Sequence, residues 1–383
     1  MKWEIAKLGD ISKNIQTGPF GSQLHQSDYS ECGIPVVMPK DLVGGKISEE
    51  SIARVDKTHV ERLCRHKIEV GDILYSRRGD VGRCAHVTKK EEGWLCGTGC
   101  LRVTIDSEKA DSRFVFFQLQ HPDTIGWVEK HAVGATMLNL NTTILSSVPI
   151  RLPALEIQKR IADILSAYDD LIENNQKQIK LLEEAARRLY KEWFVDLHFP
   201  GHENTKIVDG VPEGWSRTNI NEILTFHRGY DLTKNEMKAG RYPVVGSTTV
   251  IGYHNEFKIK GPGIVTGRSG SLGKYQFIWD NFWPHNTSLY ISDYKDHNIF
   301  FVYSLLQTVD FASLNNGGAI PTLNRNVLSN IEVIEPTDEL QEMFAKIAEP
   351  QYQKIKNLEK QNDRLKTARD LLLPKLMSGE VEV

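Results

Sequence analysis

Residues 138–148 read Leu-Asn-Leu-Asn-Thr-Thr-Ile-Leu-Ser-Ser-Val, and residues 321–331 read Pro-Thr-Leu-Asn-Arg-Asn-Val-Leu-Ser-Asn-Ile. The two stretches are 183 residues apart, and the same spacing continues without a gap through the charged segment behind each one. A solenoid unit has only roughly 20–50 residues, so a period this long indicates two copies of a whole domain with its connector. A chain of 383 residues has room for two such domains, each with its own core.

Each copy begins with a module in which strands predominate. Short apolar runs bounded by Gly, Pro, Asn and Asp are typical of strands and turns. Such runs occur at residues 73–75, 100–103, 264–266 and 288–291, and short helices are predicted at 112–119 and 299–306. The first module is about thirty residues longer than the second, and we expect this surplus in loops.

The connector behind each module predicts a long helix. Apolar or small residues recur at steps of three and four from Ile157 to Trp193, and again 183 residues later from Leu340 to Leu376. This spacing is typical of a coiled-coil seam. At roughly 1.5 Å per residue each helix is about 55 Å long, which exceeds the width of a small domain. We therefore expect the two helices to pair with each other, antiparallel because the chain must return.

The sequence thus predicts an α+β fold: two pseudo-symmetric, strand-rich domains separated by two long antiparallel coiled-coil helices. The predicted boundaries place the first module at 1–153, the first long helix at 154–195, a linker with the second module at 196–336, and the second long helix with the C-terminal tail at 337–383.

Composition limits the cellular setting. No apolar run approaches the roughly 18–20 residues that span a bilayer, and the N-terminus lacks the apolar core of a signal peptide, so we expect a cytoplasmic protein with no membrane partner. All five cysteines lie in the first copy, without the paired spacing of structural zinc, and we expect buried or half-buried thiols. The net charge of −3 means that any nucleic-acid contact depends on local patches.

Several segments resemble one known family. Residues 189–201 read Leu-Tyr-Lys-Glu-Trp-Phe-Val-Asp-Leu-His-Phe-Pro-Gly, and together with residues 17–22, 211–215, 282–290 and 371–380 they are similar to specificity subunits of type I restriction-modification systems. This resemblance implies that each module is a target recognition domain reading one half of a bipartite sequence in double-stranded DNA. It also implies that the helices set the spacing and dock two methyltransferase subunits, and that motor-nuclease subunits complete the complex.

Two matched glycine-containing loops hold the strongest candidates for DNA contact. Residues 77–83 and 268–274 align with Gly79 on Gly270 and with Arg83 on Lys274. Glycine lets the backbone approach a phosphate, and arginine can bind guanine through two hydrogen bonds. The alternative is a turn with solvated charges. The candidates in these loops are Arg77, Arg78, Arg83, Arg268, Ser269, Ser271 and Lys274.

The Asn-rich repeat gives a second group, because asparagine can pair with adenine. Asparagine also caps turns and helices, so a structural role for Asn141 and Asn324 stays open. This group comprises Asn139, Asn141, Asn324 and Arg325. Further candidates are Phe20, Gly21 and Ser22, in a segment that resembles the family, and Arg228. Six more are Gln23, His25, Tyr230, His254, His285 and Asn286, and the alternative for each of these six is an ordinary loop residue.

Catalytic motifs are missing from the sequence. Residues 267–274 resemble a phosphate-binding loop, but the first glycine is misplaced and Tyr275 replaces the magnesium-binding hydroxyl residue. Asp123 and Glu129-Lys130 lack nuclease spacing, and no methyltransferase motif is present. We therefore expect a non-catalytic subunit without cofactor or metal. The alternative is a non-catalytic coiled-coil scaffold whose modules bind protein.

Overall fold

The structure, a computed structural model, describes residues 3–134, 138–268, 273–309 and 331–383. The chain forms two compact units. Unit 1 comprises Met1–Asn174 and Gln361–Val383, and unit 2 comprises Asn175–Lys360. Each long helix contributes one half to each unit.

Unit 1 is built mainly from short strands. Its strands are β1 Glu4–Lys7, β2 Ser12–Thr17, β3 Tyr29–Ser30, β4 Ile34–Val37, β5 Leu42–Val43, β6 Lys46–Ile47, β7 Ala53–Val55, β8 Ile73–Ser76, β9 Cys84–His86, β10 Leu95–Cys96, β11 Cys100–Ile105 and β12 Pro149–Leu152. Its helices are α1 Lys57–Arg62, α2 Ser112–Leu119, α3 Pro122–His131, α4 Thr142–Ser146 and the first half of α5 Leu155–Tyr190. Short 3₁₀ turns occur at Leu8–Ile11, Gln26–Asp28, Pro39–Asp41 and Cys64–His66.

Unit 2 repeats this plan with fewer strands among its described residues. Its strands are β13 Ile207–Val208, β14 Val211–Pro212, β15 Ser216–Asn219, β16 Thr225–Arg228, β17 Tyr242–Val245, β18 Val250–His254, β19 Gly263–Gly267, β20 Tyr275–Ile278, β21 Trp283–Pro284, β22 Ser288–Asp293 and β23 Glu332–Glu335. Its helices are α6 Ile220–Ile223, α7 Ile299–Thr308 and the first half of α8 Asp338–Ser378, with a 3₁₀ turn at His202–Asn204.

Sheet topology confirms the duplication. The central sheet of unit 1 has the order β2-β11-β8-β9, and that of unit 2 has the matching order β16-β22-β19-β20. The antiparallel pair β1-β12 corresponds to β15-β23, and the run β10-β4-β7 corresponds to β21-β17-β18. In each run the first pair is parallel and the second antiparallel. Helices α2 and α7 begin alike, because Asp111 and Asn298 cap them through side-chain oxygens.

Unit 1 buries one face of its central sheet against helices. Phe114 of α2 and Ile161 and Leu165 of α5 join Leu376 of α8 in one apolar cluster. The two long helices are also tied together here by an ion pair of 2.5 Å between Arg369 and Asp169. The sharing of apolar surface between sheet and helix pair is the main source of stability for the unit.

Unit 2 has an aromatic core at the same place. Phe344 of α8 is fully buried and its ring lies 5.7 Å from Tyr190 and 5.4 Å from Phe194. Glu183, which precedes Tyr190 on α5, borders the same groove as Tyr352, which follows Phe344 on α8. Residue numbers thus rise along α5 as they fall along α8, so the helices run antiparallel, and the predicted fold class is confirmed.

The predicted coiled-coil seam matches the buried face of both helices with one exception. All seam positions of α5 are buried or half-buried, but Ile347 of α8 is 44% exposed. Ala348 is fully buried instead and joins the core of unit 2 with Ala345. This turn of α8 packs on the globular core, so its buried stripe follows the 3.6-residue helical period and departs from the strict heptad. Helix α5 ends at Tyr190, and Lys191–Val195 continue it as a π-helical turn.

The cysteine prediction was correct for three residues and wrong for two. Cys84, Cys96 and Cys100 lie on strands and are buried, and burial raises the pKa of the Cys84 thiol to about 12. Cys32 and Cys64 are exposed, because they lie outside the strands at the surface of the extra loops of the first module. All five are free thiols.

Candidate nucleic-acid interface

One end of each central sheet gathers the predicted contact residues. In unit 1, β2 and β8 end and β11 and β9 begin at the same end of the sheet. In unit 2, β16 and β19 end there and β22 and β20 begin there. We call these ends the loop edges. The loop edge of unit 1 consists of residues 18–25, 77–83, 97–99 and 138–141, and that of unit 2 consists of the described residues among 229–232, 268–274 and 284–287.

Backbone hydrogen bonds hold the loop edge of unit 1 together. The amide of Gly18 donates to the carbonyl of Cys100 at 3.0 Å, and the amide of Arg77 donates to Gly99 at 2.9 Å. The amide of Leu140 donates to the carbonyl of Arg77 at 2.8 Å. Four segments of the chain therefore form one surface.

Two of these bonds recur at the loop edge of unit 2. The amide of Gly229 donates to Ser288 at 3.1 Å, and the amide of Arg268 donates to Thr287 at 3.1 Å. Arg268 is thus the structural counterpart of Arg77, and Gly229 that of Gly18. Glycine is required at both positions, because a Cβ atom would lie 1.9 Å from the carbonyl oxygen of Gly97 at Gly18, and 2.1 Å from that of His285 at Gly229.

The three candidate arginines in the loop at residues 77–83 differ in their exposure and in their hydrogen-bond partners. Arg77 is half-buried, and its Nε has no hydrogen-bond partner among residues 3–134, 138–268, 273–309 and 331–383. Arg78 is exposed. Arg83 is exposed but donates to Asp80 at 2.6 Å, which neutralises part of its charge. Arg77 and Arg78 are therefore the stronger candidates for contact with an anionic ligand.

The remaining candidates of unit 1 have different surroundings. Phe20 is 53% exposed, and Gly21 and Ser22 are exposed beside it. The backbone of Asn139 pairs with Val133, and within the described part of the chain its buried Oδ1 atom lacks a hydrogen-bond partner. An exposed aromatic ring and an unsatisfied amide are both suited to contact a ligand at this edge.

Asn141 has a structural role. Its Oδ1 accepts a hydrogen bond of 2.8 Å from the amide of Ile144, which caps the N-terminus of α4. Capping uses the acceptor that would otherwise pair with a base. This geometry supports the structural alternative that the sequence left open for this residue.

In unit 2 the polar residues of the loop edge bind one another. Asp231 forms an ion pair of 3.5 Å with Arg228 and accepts a hydrogen bond from Asn286. Nδ1 of His285 lies 3.0 Å from Oγ1 of Thr287. Asp231 therefore neutralises part of the Arg228 charge and fixes the orientation of the Asn286 amide.

An aromatic pair lies beneath this polar network. The hydroxyl groups of Tyr230 and Tyr290 are 3.0 Å apart. Burial, reinforced by this hydrogen bond, raises the pKa of Tyr290. The Tyr230 ring is consequently held in one orientation at the edge, where it can stack or donate a hydrogen bond.

The structure adds one residue that the sequence reading missed. The exposed Lys258 has its Nζ 4.7 Å from the ring centroid of Trp283 and 5.9 Å from that of Tyr230. It belongs to the segment between β18 and β19, and no local motif signals its position. Two other basic residues belong to this loop edge, the half-buried Arg268 and the exposed Lys274.

Some candidates lie elsewhere or have other partners. Ser269, Ser271, Asn324 and Arg325 lie outside the described residues. His254 is buried, and its Nδ1 accepts a hydrogen bond of 3.0 Å from the amide of Lys238. The side chain of Gln23 accepts from the amide of Phe20 at 3.1 Å, which shapes the loop. The backbone of His25 donates to the carboxylate of Asp28 at 2.9 Å.

Metal-binding clusters and membrane-spanning helices are both absent from the described ranges. No cluster of three or more His, Cys, Asp or Glu side chains there is arranged to bind a metal ion. None of the helices described is at once long and apolar enough to cross a membrane.

Two copies of one strand-rich module, each with a polar loop edge that carries basic residues, are the main features of the described chain. The sequence profile of the type I restriction modification DNA specificity domain matches residues 1–184 and again residues 212–367. The chain therefore belongs to this family.

Individual relatives agree along the whole length. The chain is 26% identical to the type I restriction enzyme MjaIX specificity subunit of Methanocaldococcus jannaschii, and the alignment covers 100% of this chain and 94% of that protein. It is 22% identical to the HindI specificity subunit of Haemophilus influenzae over 99% of both. The crystal structure of a type I restriction-modification S subunit from M. genitalium has the same fold, with a TM-score of 0.67, 20% identity and coverage of 98% and 96%.

These findings define the role of the chain. It is the DNA-recognition subunit of a type I restriction-modification complex, it is non-catalytic, and its partners are DNA and the other subunits of that complex. The alternative of a scaffold whose modules bind protein is not favoured by these relatives.

Proposed function

We propose that each loop edge reads one half of a bipartite target in double-stranded DNA. Helices α5 and α8 set the spacing between the half-sites and dock two methyltransferase subunits, and motor-nuclease subunits join in the full complex. In this proposal residues 1–153 and 196–336 are the recognition domains, with 154–195 and 337–383 as the spacer helices and tail.

The equivalence of the two loop edges is the observation that carries this proposal. Arg77 and Arg268 make the same backbone bond to the residue before β11 and β22, respectively. A shared backbone frame suits two surfaces that meet the same kind of ligand, since phosphate groups are alike at every site.

Differences between the edges provide the sequence discrimination. After the shared glycines, unit 1 continues with Pro19-Phe20 and unit 2 with Tyr230-Asp231. Base readout requires different donors, acceptors and apolar groups at each half-site, whereas backbone positioning does not. We therefore assign Phe20 and Tyr230 to base discrimination. Arg77 and Arg268 contribute the close charge-assisted hydrogen bonds to base edges or phosphates.

A binding measurement tests the proposal. The chain is purified with its methyltransferase, the target is identified from modified bases in cells, and Arg268→Ala is titrated with target and unrelated duplexes. Loss of one arginine contact lowers affinity for the target by about tenfold or more. The control is Arg217→Ala, an exposed arginine on β15 outside the loop edge, which leaves affinity unchanged. Wild-type affinity in Arg268→Ala overturns the assignment.

A further inference from the structure

Unit 2 contains an open groove that unit 1 does not leave open. It has a volume of about 660 Å³ and lies between α5, α7, α8 and β20. Phe277, Tyr303 and Tyr352 form an aromatic floor, with ring centroids 5.2 Å apart for Phe277 and Tyr303 and 5.3 Å apart for Tyr303 and Tyr352. We call this space the open groove.

The internal duplication identifies the corresponding place in unit 1. Aligning α2 with α7 at their capping residues puts Phe116 on Tyr303 and Gln120 on Gln307. Strand β9 matches β20, because Tyr75 pairs with Cys84 as Thr266 pairs with Tyr275. The 183-residue repeat places Glu173 of α5 on Lys356 of α8.

In unit 1 the hairpin of β5 and β6 covers this place. Gly45 at its tip presses on α2, since a Cβ there would lie 2.5 Å from Nε2 of Gln120 and 3.0 Å from the Phe116 ring. Lys46 reaches Glu173 of α5, with Nζ and Oε2 2.5 Å apart. Leu42 and Ile47 pack into the same apolar cluster as Ala85 of β9.

Unit 2 has no hairpin at the equivalent connection, between β17 and β18. Residues 38–52 separate β4 from β7 in unit 1, whereas only residues 246–249 separate β17 from β18 in unit 2. Part of the surplus of the first module therefore forms a β-hairpin, where the sequence predicts a loop, and this hairpin fills the groove. Among its described residues, unit 2 presents the same floor without a filling segment of its own.

Acidic residues outnumber basic ones around the open groove: Glu183, Glu184 and Glu359 line it together with Lys180 and Arg187. Aromatic rings attract cations through their faces. Glu183 is exposed as a residue, but partial desolvation of its carboxyl group raises its pKa, and Lys180 only partly opposes this. Glu183 and Glu359 both act electrostatically on Tyr303. Lys356 is engaged over Trp279, at 4.7 Å from the ring centroid. An added basic group beside Glu183 would relieve the cost of holding that carboxylate against the rings.

We propose that the open groove receives a loop of a methyltransferase subunit, which places an arginine or lysine side chain on the aromatic floor beside Glu183. The inference rests on the proposed docking of two methyltransferase subunits and adds that they dock unequally. Unit 1 fills its groove with its own hairpin, and unit 2 takes the equivalent segment from its partner.

Charge reversal with a matched control tests the proposal. Glu183→Lys is co-purified with the methyltransferase, and native mass spectrometry counts bound subunits. We expect affinity for one of the two methyltransferase subunits to fall about tenfold or more, which leaves mainly one bound, because reversal opposes like charges in a contact. Glu61→Lys, the same charge reversal at an exposed residue of α1 outside both long helices, keeps both. Two subunits bound to Glu183→Lys overturn the proposal.

A cross-linking experiment identifies the segment that occupies the open groove and requires no charge reversal. A photoreactive residue at Gln307 captures a methyltransferase peptide containing a basic residue, whereas one at Gln120 captures residues of the β5–β6 hairpin of its own chain. Capture of a second copy of this chain at Gln307, or no capture, overturns the inference. If the wild-type chain bound no methyltransferase, the proposed function itself would fail on docking. If the wild-type chain binds the methyltransferase but the photoreactive residue at Gln307 captures nothing, only the proposed contact in the open groove is rejected.

Discussion

Asn141 is a candidate contact residue whose side chain is already used by the fold, as a helix cap. Its oxygen accepts from the Ile144 amide at the start of α4, and the backbone of Leu140 just before it bonds to Arg77. The cap therefore supports the segment that completes the loop edge of unit 1. The same chemistry that makes asparagine attractive for adenine recognition makes it an effective helix cap.

Replacing Asn141 separates these two roles. Asn141→Ala removes the cap and is expected to lower the free energy of unfolding by about 1 kcal/mol, as measured by urea denaturation. Asn141→Asp keeps the cap and serves as the control, with stability near that of the wild type. A structural cap predicts that Asn141→Asp also retains the recognised sequence. Unchanged stability in Asn141→Ala would show that the cap contributes nothing.

The residue types at the site could be predicted better than their partners. The glycine loops and their arginines were visible because both copies carry them, and the structure brings Arg77 and Arg268 to equivalent places. The pairing of Arg83 with Asp80 depends on the turn that the loop adopts. The position of Lys258 over Trp283 depends on the packing of β18, β19 and β21, which no local pattern encodes.

At the scale of elements, the long helices were the most predictable because they repeat over many turns. Their apolar spacing indicated both the helices and the face they bury. Ile347 differs because packing on the core of unit 2 competes with packing on the other helix. The short strands were predicted from apolar runs, but the β5–β6 hairpin has only two residues per strand, too few for a period to appear.

The packing of α8 in unit 2 gives a stability prediction. Phe344→Ala removes a fully buried ring in contact with Tyr190, Trp193 and Phe194, and we expect a loss of about 3–5 kcal/mol from the lost contacts and the resulting cavity. Thermal unfolding followed by circular dichroism measures the effect.

The adjacent Met343 is a matched control, because it is 42% exposed on the same turn. Met343→Ala should change stability by less than about 0.5 kcal/mol. Equal shifts for the two variants would contradict the assignment of Phe344 to the core.

At the scale of the whole molecule, the chain is a duplication whose copies have diverged at the surface. The central sheets share their strand order, and both loop edges share a glycine and an arginine in equivalent positions. The copies differ, among other places, in the residues after the shared glycines and in the β5–β6 hairpin, which has no counterpart between β17 and β18. A duplicated frame with different contact residues suits a target made of two different parts.

The most direct test of this account is the methylated sequence in cells that carry the chain with its methyltransferase, comparing the wild type with Arg77→Ala and Arg268→Ala by single-molecule sequencing of modified bases. The account predicts that each variant relaxes or loses specificity in one half of the target, and that the two variants affect opposite halves. Identical methylation patterns in all three chains, or effects of both variants on the same half, would contradict it.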